Sequence, residues 1–315
     1  MRVRSVALAL VAAAAVGLSL VNASWIAPAP EGRLTLVAHR GIAQPLERPH
    51  APGCSARRVA DFGHNYIENT LFSMQGAIAH GARGFLLDVR TSADGHAVIF
   101  RDETLECRTD GVGRVRDRIL PYLKTLDVGF GYSSDGRTFP LRGRGVGAMP
   151  AAAELIRAFP RETLIFTLGE PADAASIVAA FRAAGVAIGA QHGFAGHPAA
   201  LERLRQLTPG GWVLDRAASQ ACLSDYRRSG WTSLVPESCR GATLLLPRRG
   251  GLTLWGWPYR FLDRMAGVDA RLLIAGDSRR ALVGLDRPEQ LGEVPRDYRG
   301  LLLVEDMWNV GRALD

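Results

Sequence analysis

The sequence predicts an α/β fold, a TIM (β/α)8 barrel with an inserted hairpin and loop region after the second strand. Three observations predict it. Short β-rich apolar runs alternate with helical patterns, the arrangement that gives a parallel sheet. Eight candidate strands fall within residues 31–315, a length close to the roughly 250 residues of a typical barrel. An Asp-Gly turn separates two extended runs directly after the second strand, which signals a hairpin.

The chain starts with Arg2 and Arg4, an apolar run from Val6 to Val21, then Asn22-Ala23-Ser24 and the Pro-containing stretch Ala27–Pro30. This positive, apolar, small-residue order is that of an export signal, and Val21 and Ala23 suit cleavage after Ala23. The run also approaches the roughly 20 residues that span a bilayer, so an uncleaved anchor is the other reading. Residues 1–30 are therefore read as signal peptide or membrane anchor with a short linker, and residues 31–315 as the barrel. The barrel is expected outside the cytoplasm, periplasmic or anchored to the outer side of the inner membrane.

The candidate strands are Leu34–His39, Gly84–Arg90, Thr163–Leu168, Val186–Gln191, Gly211–Leu214, Ala242–Leu246, Ala270–Ala275 and Gly300–Val304. Helical segments lie between them at Leu71–His80, Ala151–Phe159, Ala172–Ala184, Pro198–Leu207, Ser219–Ser229 and Pro258–Ala266. Ala93-Asp94-Gly95 makes the hairpin turn, and the Gly- and Arg-rich stretch that follows reads as a rim insertion over about residues 93–147. A second long loop runs from Gly41 to Asn65. The aromatic cluster Trp255-Gly256-Trp257-Pro258-Tyr259 follows the sixth strand; it reads as core packing, with a stacking or membrane-interface patch as the other reading.

Composition narrows the function. With 47% apolar and 22% charged residues the chain is neither disordered nor a multi-span membrane protein. The net charge of +7 favours anionic partners. Lys124 is the only lysine, and the arginines are scattered without a basic run, so no nucleic acid is expected as partner. Four cysteines suit an oxidising compartment, and the absence of C-x-x-C spacing argues against structural zinc. Three disulfide pairings exist; nearness in sequence favours Cys222 with Cys239, leaving Cys54 with Cys107 to tether the two long loops. Free thiols are the other reading.

In a barrel of this class, chemistry concentrates at the C-terminal ends of the strands. There the sequence places His39-Arg40-Gly41, Glu68-Asn69-Thr70 opening the first helix, Asp88 in the second strand, and Arg101-Asp102 beyond the hairpin. Glu68 and Asn69 either line the site or cap the helix. Thr109-Asp110-Gly111 reads as a turn.

The order of these motifs resembles the glycerophosphodiester phosphodiesterase family, relatives of phosphatidylinositol phospholipase C with a TIM barrel that cleave glycerophosphodiesters to an alcohol and glycerol 3-phosphate. The family pattern H-R-G, E-N-T, G-A-D-x-x-E-x-D-V, T-x-D-G-x-x-V-x-x-H-D and L-x-R-T-T-D-G reads here H-R-G at 39–41, E-N-T at 68–70, G-A-R-G-F-L-L-D-V at 81–89, T-S-A-D-G-H-A-V-I-F-R-D at 91–102 and L-E-C-R-T-D-G at 105–111. The resemblance is dense from residue 36 to 113 and weak afterwards. It implies a divalent cation, Ca or Mg, held by the carboxylates of E-x-D and a Glu of the third strand, with two histidines as general acid and base.

At those positions the chain departs from the family. Leu86 stands at the first metal Glu, Thr167 at the third-strand Glu, Gly169 at the following Lys, and Arg101 at the second histidine. Asp88 is the one retained metal ligand and His39 the retained acid/base group. One carboxylate holds a hard cation weakly, so the cation is expected to be weakly bound or absent. Arginine stays protonated and cannot act as a base, whereas Arg40 and Arg101 suit phosphate oxygens. The expectation is a weakly active or inactive protein of this family, a pseudoenzyme that binds a glycerophosphodiester, another phosphate-containing small molecule or a lipid headgroup. The alternative is an active metal-dependent glycerophosphodiester hydrolase in which Glu170, His64 or His96 supplies a replacement group.

Overall fold

The computed structural model describes residues 2–28, 30–47, 53–277 and 282–314. Residues 48–52 of the second long loop, and Ala29 of the Pro-containing stretch, lie outside them. Along the chain the strands are β1 Thr35–His39, β2 Gly84–Thr91, β3 Ala97–Ile99, β4 Thr163–Leu168, β5 His192–Gly196, β6 Trp212–Leu214, β7 Thr243–Pro247, β8 Arg271–Ala275 and β9 Leu301–Val304. The helices are α1 Arg2–Val21, α2 Leu71–Ala79, α3 Leu120–Leu123, α4 Ala152–Ala158, α5 Pro171–Ala184, α6 Pro198–Leu207, α7 Arg216–Ser229, α8 Tyr259–Ala266 and α9 Met307–Arg312. Eight strands are parallel, the complement of a TIM barrel, and the ninth, β3, pairs antiparallel with β2. Seven of the eight predicted barrel strands coincide with observed ones to within about a residue.

The fourth prediction is corrected. Residues 186–190 are partly or fully exposed, and the strand is His192–Gly196. The apolar run Val186–Ile188 looked more like a strand, but Gly185 ends α5 in a left-handed conformation and the chain then crosses the surface. Phe194 supplies the buried anchor of β5, its ring 6.1 Å from that of Phe166 on β4.

The chain divides into two compact units. The larger holds Thr35–Val213, Ser278–Leu291 and Leu302–Asp315, and with them β1 to β6 and β9 in the order β6-β5-β4-β2-β1-β9. Register fixes which side chains meet at the strand ends: His39 lies opposite Leu86, and Asp88 opposite Thr167. The rim insertion has its own apolar core, in which Val98, Phe100, Leu105, Leu123, Leu126 and Leu141 are buried. A disulfide joins Cys54 to Cys107 and ties the second long loop to this insertion.

Buried Asp127 organises the insertion by accepting hydrogen bonds from the backbone N–H of Gly129, Gly143 and Gly145 at 2.9, 2.6 and 3.0 Å. Asp127→Ala leaves three donors without that acceptor and is expected to cost about 2–4 kcal/mol, read as a lower urea midpoint at unchanged slope. Thr109 and Asp110 form a bend, in which the Thr109 hydroxyl accepts from Gly111 N at 3.0 Å, and take part in the same fold: Asp110 Oδ1 accepts from Asp127 N at 2.9 Å.

The smaller unit holds Met1–Leu34, Leu214–Asp277 and Gly292–Leu301. In it β7 and β8 pair in parallel, α7 carries Cys222, and a disulfide links Cys222 to Cys239. Trp257 of the aromatic cluster packs on Phe261, with ring centroids 5.8 Å apart, whereas the ring of Trp255 is partly exposed.

Candidate active site

The site lies within the larger unit, where the loops after β1 and β2 meet the end of β9. His39 ends β1, and Arg40 follows it in the left-handed region at φ 66°. Its N–H donates to Leu86 O at 2.8 Å, while its carbonyl accepts from Asn69 N at 2.9 Å. Asn69 is itself left-handed, at φ 60°. Two non-glycine residues thus hold strained backbone in contact with each other, a cost that a surrounding structure must over-determine. Gly41, at φ 78°, allows the turn: a Cβ there would lie 2.5 Å from Ser73 Oγ.

Thr70, not Glu68 or Asn69, caps α2, its hydroxyl accepting from Ser73 N at 3.2 Å. That releases Glu68 for the site. Its Oε1 accepts from Arg108 Nε at 2.6 Å and from the Tyr132 hydroxyl at 2.9 Å, and its Oε2 lies 3.1 Å from Arg40 Nε. Arg108, buried, also donates to Ser55 Oγ at 2.7 Å and to Asp102. The disulfide at Cys107 therefore anchors the residue directly before this hub.

Sequence reading missed Glu305, which follows β9. Its Oε2 lies 2.7 Å from His39 Nδ1, its Oε1 accepts from Arg40 Nη2 at 2.5 Å, and Gly284 N donates to Oε2 at 3.0 Å. Burial raises the proton affinity of Glu68, but Arg108, Arg40 and Arg101 outweigh it and hold the carboxyl well below the usual range. For Glu305 burial is outweighed in the same way by His39 and Arg40. Burial likewise opposes the charge on Arg40, and Glu68, Glu305 and Asp88 more than restore it.

The structure brings together His39, Arg40, Glu68, Asn69, Asp88 and Arg101. Asp88 Oδ2 lies 4.0 Å from Arg40 Nη1 and accepts from Asn69 Nδ2 at 3.4 Å. Arg101 Nη1 stands 4.0 Å from Glu68 Oε2, with 24% of its side chain exposed. Arg40, which the sequence offered as a second phosphate ligand, is surrounded by three carboxylates instead, so Arg101 is the accessible guanidinium. Nor is the pocket strongly positive: Arg40, Arg101 and Arg108 face Glu68, Asp88, Asp102 and Glu305.

The replacement groups are elsewhere. Glu170 is 3.6 Å from Arg116 at the start of α5, His96 is exposed beside Asp94, and His64 is buried among Phe62, Tyr66 and Trp308.

The divalent cation that the resemblance implies does not fit the residues present. Leu86 is buried at the inward position beside Asp88, and Glu68 and Glu305 are already neutralised by guanidinium groups at 2.5–3.1 Å. Among the described residues no group of three or more His, Cys, Asp or Glu is placed to hold a metal ion. What the arrangement offers chemically is one oriented histidine: with Nδ1 held by Glu305, Nε2 is the ring nitrogen left for proton exchange.

Residues 61–175 match the model of the glycerophosphoryl diester phosphodiesterase family. The glycerophosphodiester phosphodiesterase of Caldanaerobacter subterraneus subsp. tengcongensis is 41% identical over 78 residues, 24% of this chain and 32% of that protein. An uncharacterised protein of Mycobacterium tuberculosis, Rv2277c, is 30% identical over 125 residues, 39% of this chain and 40% of that one. The chain thus spans only 32–40% of the length of these relatives.

The fold extends further than the sequence likeness. The crystal structure of the glycerophosphoryl diester phosphodiesterase domain of Rv2277c shares it with a TM-score of 0.64 at 18% identity, over 90% of this chain and all of that one. An Oleispira antarctica phosphodiesterase, solved with its product sn-glycerol 3-phosphate, shares it with a TM-score of 0.56 at 17% identity, over 93% of this chain and 99% of that one. By the ordered motifs that it carries, the stretch 61–175 is similar to the glycerophosphoryl diester phosphodiesterase family, and the barrel it is built into is the fold of solved structures that bear that name.

Proposed function

We propose that the larger unit binds a glycerophosphodiester, a related phosphate-containing small molecule or a lipid headgroup through Arg101, and turns it over weakly or not at all. The observation that carries this reading is the saturation of the site's acids by guanidinium: Glu68 and Glu305 are engaged by Arg40 and Arg108, while Arg101 keeps an open side. Asn69 Oδ1, buried and without a hydrogen-bond partner among the described residues, is an acceptor suited to a ligand hydroxyl. The Oleispira protein's bound sn-glycerol 3-phosphate supports the ligand class. With Arg101 at the second histidine position, one acid/base group remains, and loss of the other removes about 10²- to 10⁴-fold in rate.

A second reading, active hydrolysis, is favoured by one observation: a histidine oriented by a partly buried carboxylate is how a general base is held. Glycerol 3-phosphate release from glycerophosphocholine and glycerophosphoethanolamine, measured with Ca²⁺, with Mg²⁺ and with EDTA, separates the two. The binding reading expects release near the blank in all three; robust metal-dependent release favours hydrolysis.

Binding is tested at Arg101, because Arg40 is built into the fold. Arg101→Gln is expected to weaken sn-glycerol 3-phosphate binding at least about tenfold in calorimetry, the effect of losing a charge-assisted contact. Unchanged affinity in a folded variant removes Arg101 as the phosphate ligand. The two disulfides and the apolar N-terminal run support an exported location for the whole chain, with membrane association through residues 1–30.

A further inference from the structure

From Val6 to Val21 the side chains of α1 are exposed on all its faces, an apolar surface without a protein partner among the described residues. A helix apolar all round belongs in a core or in lipid. Its foot is not a loose linker. Arg264 of α8 donates to Val21 O at 3.1 Å and to Asn22 Oδ1 at 3.0 Å, and also to Gly230 O, Ser233 Oγ and the Tyr226 hydroxyl. Asn22 Nδ2 donates to Trp231 O at 3.1 Å, Tyr259 N donates to Ser24 Oγ at 2.9 Å, and Ala23 is buried.

Around this foot the smaller unit exposes large apolar side chains: Trp25 (81%), Trp231 (46%), Leu234 (72%) and Trp255 (40%). Hydrogen bonds place them together. Trp231 carries the carbonyl that Asn22 bonds, Leu234 follows the Ser233 that Arg264 holds, and Trp255 O accepts from the Tyr226 hydroxyl that Arg264 also reaches. The indole N–H of Trp255 donates to Arg227 O, so the ring's polar atom is satisfied and its apolar edge faces out beside Arg227 and Arg228.

We infer that α1 and the Trp25, Trp231, Leu234 and Trp255 rim around its foot form a lipid-facing seat that rests in the interface of an anionic bilayer. Tryptophan and leucine at an apolar helix end, fringed by arginine, are the residue types that partition into that layer. Among the described residues no helix is long and apolar enough to cross a membrane; the seat requires contact with lipid, not a crossing. A consequence concerns the Ala23–Ser24 bond. It lies between residues bonded to Arg264 and to Tyr259, so cleavage there would remove α1 together with the Val21 and Asn22 contacts of Arg264, and the seat requires that the N-terminal segment be retained. This inference is independent of what the larger unit binds.

The test uses the full chain with vesicles of phosphatidylcholine and phosphatidylglycerol in which part of the lipid is brominated. The chain is expected to float with the vesicles, its tryptophan fluorescence is expected to be quenched, and its intact mass is expected to retain residues before Ser24. Trp25→Phe/Trp231→Phe/Trp255→Phe is expected to lose more than half of the quenching, leaving Trp212, Trp257 and Trp308. Trp25→Phe alone, at the most exposed of the three, gives the same sign of effect if the triple variant fails to fold. Absence of flotation, quenching that survives the triple substitution, a mature N-terminus at Ser24, or a lipid-independent dimer that shields the three indoles would each overturn the seat.

Discussion

Arg108→Met is expected to destabilise the protein by about 3–5 kcal/mol, the cost of leaving a buried carboxylate without its partner. Arg108 is buried and donates to Glu68, Asp102 and Ser55 together. Methionine fills much of the volume, so the loss is electrostatic rather than a cavity. Glu68 then keeps Tyr132 and Arg40, but loses its 2.6 Å charge-assisted bond. Equilibrium urea unfolding reads the effect, with exposed Arg240→Met as a control expected within about 0.5 kcal/mol. Adding Glu68→Gln to Arg108→Met is expected to recover part of the loss, because the stranded charge is gone. A change below about 1 kcal/mol for Arg108→Met would mean that Glu68 is satisfied without it.

The same ion pairs set the acid limit. Glu68 and Glu305 have folded-state pKa values below their unfolded ones. Their stabilisation is therefore fully present above the unfolded value of about 4.3 and is lost as pH falls from there through the folded values. Arg108→Met relieves part of the depression on Glu68, so its stability profile falls less steeply below about pH 4 than that of the wild type.

How much of this was legible in the sequence follows from the range of the interactions. The hairpin was legible because Asp94-Gly95 is a local turn signal, and most strands because their apolar runs are contiguous. His192–Gly196 was not: two of its five residues are glycine, and its strand character comes from pairing with β4. The first half of the site was legible as ordered motifs within residues 39–102. Glu305 was not, because it meets His39 across 266 residues of sequence. A signal for it existed: it is the carboxylate directly after the last predicted strand, where chemistry in a barrel collects. Arg108 and Tyr132 were also missed. Their roles depend on the insertion folding back on Glu68, which no local pattern encodes.

Leu86→Glu/Thr167→Glu/Arg101→His is expected to raise glycerophosphodiester hydrolysis by at least about 10²-fold over the wild type, the lower end of what one regained acid/base group contributes. Register makes the triple variant coherent. Leu86 and Asp88 alternate onto one face of β2, and Thr167 lies opposite Asp88 on β4, so the two new carboxylates flank Asp88 at adjacent inward positions. The change removes one guanidinium and adds two acids where Arg40 and Arg108 already carry Glu68 and Glu305. Such a cluster is destabilised by like-charge repulsion until a divalent cation occupies it. The variant's thermal midpoint should therefore rise with Mg²⁺ or Ca²⁺ and fall with EDTA, whereas the wild type should be indifferent to all three. The two readouts separate the causes of failure. Cation-dependent stability without activity would mean that the ion site is restored but His39, held by Glu305, is not aimed at the substrate. Activity already present and cation-dependent in the wild type would mean that the arginine-saturated site opens on binding, and would favour the hydrolase.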